Sequence, residues 1–102
     1  MHIVKLKTIE NYYKSNNQSK KQLLTWHEES KAAEWKTPQD IKNRYPKASI
    51  LPDNIVVFDI KGNDYRLVAK ISYKKQTVFI KFIGTHPEYE KWIKKNLRGS
   101  KK

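Results

Sequence analysis

The stretch from Val78 to Tyr89, VFIKFIGTHPEY, predicts a strand that runs directly into a helix. Its first six residues, 78–83, are apolar on both faces except for Lys81, which is typical of a central strand covered on each side. A lysine in such a strand must reach water, an acidic group or a ligand, because burying it alone is costly. We expect the strand to end at Gly84.

The residues that follow the glycine carry the signals of a helix start. Thr85 followed three residues later by Glu88 is a capping-box pattern, and Pro87 suits the first turn of a helix. His86 and Tyr89 are spaced to lie on one side of that turn. The sequence therefore predicts a strand–helix corner at which a lysine, a histidine and a tyrosine converge.

Composition limits the possible functions. The chain has 102 residues, the size of one domain, and 22 Lys and Arg against 10 Asp and Glu give a net charge of +12. So basic a domain implies an anionic partner, with nucleic acid first, and aromatic residues at 12% can build a core and also stack on bases. Because the chain lacks cysteine and shows neither a signal peptide nor a long apolar run, we expect a cytoplasmic protein without a membrane partner.

The order of patterns along the chain predicts an α+β domain covering residues 1–102. N-terminal helices are expected to pack on a small antiparallel sheet that is followed by a C-terminal helix. A short strand is predicted within 2–6 and a loop over 48–54. The predicted helices span 8–15, 19–35, 38–45 and about 86 onward, and the main strands span 55–60, 64–73 and 77–83.

The turn positions set an expected register for the last three strands. If Gly62-Asn63 and Lys74-Lys75 are two-residue turns, the resulting pairs are Asp59 with Arg66 and Val68 with Lys81. Arg66 and Lys81 then share a face with Val68 and Ile83 and lie within reach of each other. A slip of one residue in either hairpin would destroy this arrangement.

A resemblance to a known family rests mainly on residues 62–68 and 82–89, with further likeness at 1–3, 35–42 and 45–49. In these segments the chain resembles HigB-type toxins, the ribosome-dependent mRNA endonuclease branch of the RelE superfamily. The resemblance covers nearly the whole chain in order. It implies a compact RelE-like fold, cleavage of mRNA in the ribosomal A site, and neutralisation by a helix-turn-helix HigA-type antitoxin.

Two positions depart from the pattern of the family. Lys81 stands where relatives commonly show arginine, which keeps the charge but loses the bidentate fork. Asp59 stands where asparagine is common, and its carboxylate can pair with Arg66 in the free protein.

The implied reaction is attack of an RNA 2′-OH on the adjacent phosphate, which needs a proton acceptor, charge stabilisation and a proton donor but no metal or other cofactor. Arg66 suits charge stabilisation, because it stays protonated and binds phosphate through two parallel N–H groups. Lys81 could do the same or lower the pKa of a neighbour. His86 is the natural proton shuttle at a helix N-terminus, and Tyr89 could orient the phosphate, stack on a base or transfer a proton.

Each of these residues also has a purely structural interpretation. Arg66 could serve only as a partner of an acid, Lys81 could be a surface lysine, His86 a helix-start residue, and Tyr89 a core residue. The residues predicted to bind RNA phosphates are Lys61, Lys70, Lys94, Lys95 and Arg98. Charge and aromatic content alone would equally allow a non-catalytic RNA-binding module, and a protein-interaction module is a third possibility.

Overall fold

The computed structural model describes residues 1–62 and 64–96, which form five strands and four α-helices. In chain order these elements are β1 (His2–Val4), α1 (Leu6–Ser15), α2 (Lys20–Ala32), α3 (Pro38–Arg44), β2 (Ser49–Leu51), β3 (Ile55–Ile60), β4 (Tyr65–Ser72), β5 (Thr77–Thr85) and α4 (His86–Asn96). Short 3-10 turns occupy Asn17–Ser19 and Pro52–Asn54.

All five strands form one sheet in the order β1-β5-β4-β3-β2. The four strands from β2 to β5 pair antiparallel, as expected for a meander, and β1 adds a short parallel strand beside β5. The predicted α+β class is confirmed. β5 lies inside the sheet, which confirms the central strand that the apolar composition of residues 78–83 indicated.

The two faces of the sheet carry apolar layers of different size. The first face is covered by α1, α2 and α3, which bury Ile9, Leu23, Trp26 and Ile41 against β3, β4 and β5. The second face carries a smaller layer, and α4 packs on it. In that layer the ring of Trp92 stacks on Phe82, with the ring centroids 5.3 Å apart. Because α4 leaves the end of β5 directly, it folds back over this second face.

A β-bulge in the β4–β5 hairpin corrects the predicted register. Pairing follows the prediction from the turn as far as Ala69 with Ile80, but one extra residue then enters β5. Val68 consequently pairs with Phe82, and the predicted pair of Val68 with Lys81 is wrong. Because β5 is apolar on both faces, its hydrophobic pattern could not reveal a bulge that exchanges the faces.

The bulge also changes which residues share a face. Ile83, predicted to lie beside Arg66, is buried in the layer of the first face. Phe82 instead lies on the second face, under Trp92. The residue that pairs with Arg66 across the sheet is Gly84. The pairing of Asp59 with Arg66 in the β3–β4 hairpin is confirmed.

Other element boundaries also differ from the prediction, and α1 begins at Leu6 rather than at residue 8. Helix α2 ends at Ala32 rather than near residue 35, because Trp35 is buried and stacks on Phe58 from an extended segment. Part of the predicted loop 48–54 forms the edge strand β2, which pairs with β3 through the tight turn at Pro52–Asn54. So short a strand offers little periodicity to detect.

Candidate active site

The start of α4 is fixed by the predicted capping box. The backbone N–H of Thr85 donates to Oε1 of Glu88 at 2.7 Å, and the N–H of Glu88 donates to Oγ1 of Thr85 at 3.4 Å. A side chain at Gly84 would collide with this cap, because an added Cβ would lie 2.8 Å from that same Oε1 atom and 2.6 Å from the Phe82 ring. The glycine thus allows the strand to become a helix within one residue, which fixes the position of His86.

Arg66 lies at the centre of the corner and is held by three acceptors. Its Nε lies 3.3 Å from Oδ1 of Asp59, and its two terminal nitrogens reach the Tyr65 carbonyl at 3.3 Å and Nδ1 of His86 at 2.9 Å. Its side chain is 11% exposed. The guanidinium is therefore oriented by an acid and a histidine at a largely covered position.

The contacts of His86 define the placement of its proton. A guanidinium can only donate hydrogen bonds, so Nδ1 of His86 is the acceptor in the bond with Arg66. On the other side of the ring, Nε2 lies 3.1 Å from Oε2 of Glu90, a carboxylate that can only accept. These partners suit the tautomer with its hydrogen on Nε2. Arg66, His86 and Glu90 form one continuous chain of hydrogen bonds.

Glu90 is a site residue that the sequence alone did not single out. Its spacing of four residues from His86 places the two side chains on the same side of α4, and this spacing is the signal that could have identified it. The side chains of His86 and Glu90 are each about half exposed, so both are accessible to a ligand.

Tyr89 is half-buried beside the same chain of hydrogen bonds. Burial raises the pKa of the Tyr89 phenol, and the charge of Glu90 raises it further. Arg66 lowers this pKa and Asp59 raises it, so the net direction remains upward. The phenol is therefore neutral at physiological pH and available as a hydrogen-bond or proton donor.

Lys81, the remaining predicted catalytic residue, is exposed at the bulge in β5. The ladder pairs Val68 with Phe82 rather than with this lysine, and Arg66 with Gly84. Within residues 1–62 and 64–96, Lys81 has no ion pair or side-chain hydrogen bond. The structure thus brings Arg66, His86 and Tyr89 together.

The predicted RNA-binding lysines all lie on the surface. Lys61 is in the β3–β4 turn with its amine 4.0 Å from Asp64, Lys70 is on β4, and Lys94 and Lys95 are in the last turn of α4. Arg98 lies outside the described residues. In the described part of the chain, no three side chains of His, Cys, Asp or Glu are grouped to hold a metal ion. None of the helices described is long and apolar enough to cross a membrane.

Fold and site together define a small, strongly basic α+β protein with an arginine–histidine centre suited to a phosphodiester. Comparison of the sequence with protein families agrees with this class. The model of the HigB toxin family, described as the RelE-like toxic component of a toxin–antitoxin system, matches residues 19–92. The chain belongs to this family, and the matched region contains all four predicted catalytic residues.

Curated relatives point the same way. The chain is 26% identical over 92 residues to the mRNA interferase toxin HigB of Escherichia coli K12, covering 88% of each protein. The mRNA interferase HigB of Shigella flexneri matches to the same extent. The mRNA interferase HigB of Escherichia coli O6:H1 is 29% identical over 63 residues, covering 60% of this chain and 61% of the relative.

Proposed function

We propose that this toxin is a ribosome-dependent, metal-independent endoribonuclease that cleaves mRNA and thereby inhibits translation. The observation that carries the proposal is the hydrogen bond of 2.9 Å between Arg66 and His86. It joins a group that binds phosphate to a group that moves protons, on a chain whose relatives are named mRNA interferases.

In the proposed reaction, the scissile phosphate displaces His86 from the guanidinium of Arg66. The phosphate oxygens then accept the N–H groups of Arg66, which stabilise the charge that grows on phosphorus in the transition state. The displaced Nδ1 of His86 is left with a free lone pair beside the bound RNA.

Proton transfer follows from this exchange. Nδ1 of His86 takes the proton of the 2′-OH while the 2′ oxygen attacks phosphorus and the bond from phosphorus to the 5′ oxygen breaks. Glu90 stabilises the resulting imidazolium through the Nε2–H bond, as the acid of a catalytic triad does. Tyr89, kept protonated by its raised pKa, supplies the proton of the leaving 5′ oxygen. The products are a 2′,3′-cyclic phosphate and a free 5′-OH, and no step calls on a metal ion.

The proposed partners follow from the same function. The net charge of +12 favours binding to the ribosome and its RNA, and in this proposal Lys61, Lys70, Lys94, Lys95 and Arg98 contact RNA phosphates. Lys81 binds another phosphate of the same mRNA strand. A helix-turn-helix HigA-type antitoxin neutralises the toxin, and both act in the cytoplasm.

Mapping the 5′ ends of cellular mRNA after induction tests the proposal. We expect new 5′ ends inside translated codons, carrying a 5′-OH, with the wild-type protein and none with His86→Ala. Ends that carry a 5′-phosphate would instead indicate hydrolysis by activated water and would contradict attack by the 2′-OH. Ribosome binding without new ends would favour the non-catalytic RNA-binding module.

A further inference from the structure

An exposed aromatic ring lies on the same sheet face as the arginine of the active site. Phe79 on β5 is 40% exposed and pairs directly with Lys70 on β4. Side chains alternate along β4, so Lys70 projects from the same face as Arg66, four residues away. Because directly paired residues project to the same side, Phe79 also belongs to the second face.

Helix α4 leaves this end of the second face open. Trp92 covers Phe82, whereas Phe79 keeps two fifths of its surface in solvent. Its neighbours are cationic. Lys70 lies opposite, and Lys81 follows two residues later at the bulge, where it is exposed. In the described part of the chain neither lysine has an acidic partner within salt-bridge distance.

An aromatic ring between two exposed lysines matches a single strand of RNA better than it matches a protein surface. Bases of every kind stack on aromatic rings, while lysines bind the phosphates on either side. A protein partner would need to bury two lysine charges against acids of its own. The high net charge of the chain, +12, favours the nucleic acid.

The distance to the active site suits the same RNA strand. Four residues of a β-strand span roughly 13 Å, so Phe79 lies about that far from Arg66 along the sheet. A single strand a few nucleotides long covers this distance, since stacked nucleotides rise about 3.4 Å each. A strand that follows β5 from His86 towards Phe79 passes Lys81 on the way.

We propose that Phe79 is a stacking platform for a base of the mRNA, a few nucleotides from the scissile phosphate. Lys70 and Lys81 bind the phosphates that flank this base. The inference rests on the proposed function and extends it, because it assigns a substrate-positioning site at the far end of the sheet from the reacting groups. It also gives the bulge a role, which is to expose a lysine between the platform and the catalytic corner.

The platform can be tested apart from cleavage with a fluorescein-labelled, single-stranded RNA of 12 nucleotides. Every 2′-OH of this RNA is methylated, so that it binds but cannot be cut. Phe79→Leu keeps an apolar side chain but loses the ring, so its affinity should fall about tenfold or more at low salt. Phe79→Trp should bind at least as tightly as wild type, and the fluorescence of the new indole should be quenched by the RNA. Leu24→Ala is the matched control, because Leu24 is 39% exposed on α2, and it should bind like wild type.

The outcomes separate this inference from the proposed nuclease activity. The platform is overturned if Phe79→Leu binds as wild type does, if the wild-type protein shows no affinity for the RNA at low salt, or if the indole of Phe79→Trp is not quenched. If the protein cleaves mRNA normally but shows any of these results, the proposed function is supported and the stacking platform is overturned. If RNA binding depends on Phe79 but the protein never cleaves mRNA, the stacking platform is supported and the nuclease assignment is contradicted.

Discussion

Gly84→Ala should destabilise the protein by about 2–4 kcal/mol, because the strand–helix corner has no space for a methyl group. The new Cβ would lie 2.6 Å from one carbon of the Phe82 ring, 3.1 Å from another, and 2.8 Å from Oε1 of Glu88. The ring cannot retreat freely, since Trp92 stacks on it with centroids 5.3 Å apart. The carboxylate can move, but it then gives up its 2.7 Å bond to the Thr85 N–H.

Two contributions make up this magnitude. Overpacking a filled site costs about 1–3 kcal/mol, and loss of a helix cap costs about 1 kcal/mol. For a domain of this size each kcal/mol lowers Tm by roughly 4–8 °C, so the midpoint should fall by on the order of 10–25 °C. Thr85→Ala removes only the cap and should show only the smaller part of the loss.

Urea denaturation of Gly84→Ala with and without Phe82→Leu measures the clash directly. The leucine removes the aromatic carbons that the methyl group meets, so the cost of Gly84→Ala should be smaller in that background by roughly 1 kcal/mol or more. A loss below about 0.5 kcal/mol in the wild-type background, or the same loss in both backgrounds, would refute the steric account of this corner.

Three other changes test the charges around the centre. Asp59→Asn removes the carboxylate that competes with phosphate for Arg66, so cleavage of ribosome-bound mRNA should stay equal to wild type or rise; a strong loss would make Asp59 a catalytic group. Glu90→Gln should slow cleavage without weakening ribosome binding, and by less than the roughly hundredfold or greater loss expected for His86→Ala; an unchanged rate would remove Glu90 from the mechanism. Burial raises the pKa of Tyr12 to about 12, so its phenol favours folding below pH 10 and this contribution is lost as pH rises through about 12. Tyr12→Phe should therefore match wild type in Tm at pH 7 and exceed it near pH 11. If Tm falls equally in both proteins between these two pH values, the raised pKa of Tyr12 is contradicted.

Much of the site could be predicted because its signals are local. The capping box that starts α4 and the β3–β4 hairpin that pairs Asp59 with Arg66 are each specified within a few residues of sequence. Local patterns of this kind fix the backbone through hydrogen bonds made inside the same segment. The placement of His86 near the guanidinium of Arg66 also depends on the β4–β5 register, in which Arg66 pairs with Gly84.

The bulge at Lys81 could not be predicted, because nothing local distinguishes the two possible registers. Either register buries an apolar side chain on each face of β5, and the observed one places Phe82 under Trp92 of the next helix, a tertiary contact that alternation within the strand does not encode. Hydrophobic alternation specifies register only where one face is polar. The bond from His86 to Glu90 escaped notice for a different reason, since an acid on an exposed helix side usually belongs to the solvated surface.

The central claim is that Arg66 stabilises the phosphate in the transition state, and the single-turnover rate of mRNA cleavage on programmed ribosomes tests it most directly. Arg66→Ala should lower this rate about a hundred- to a thousandfold while ribosome affinity stays within a few-fold of wild type. Arg44→Ala is the matched control, because it also removes one arginine and one ion pair, that with Glu29, at a position far more exposed. It should cleave at the wild-type rate. A folded Arg66→Ala protein that cleaves as fast as the Arg44→Ala control would contradict the assignment of this corner as the active site.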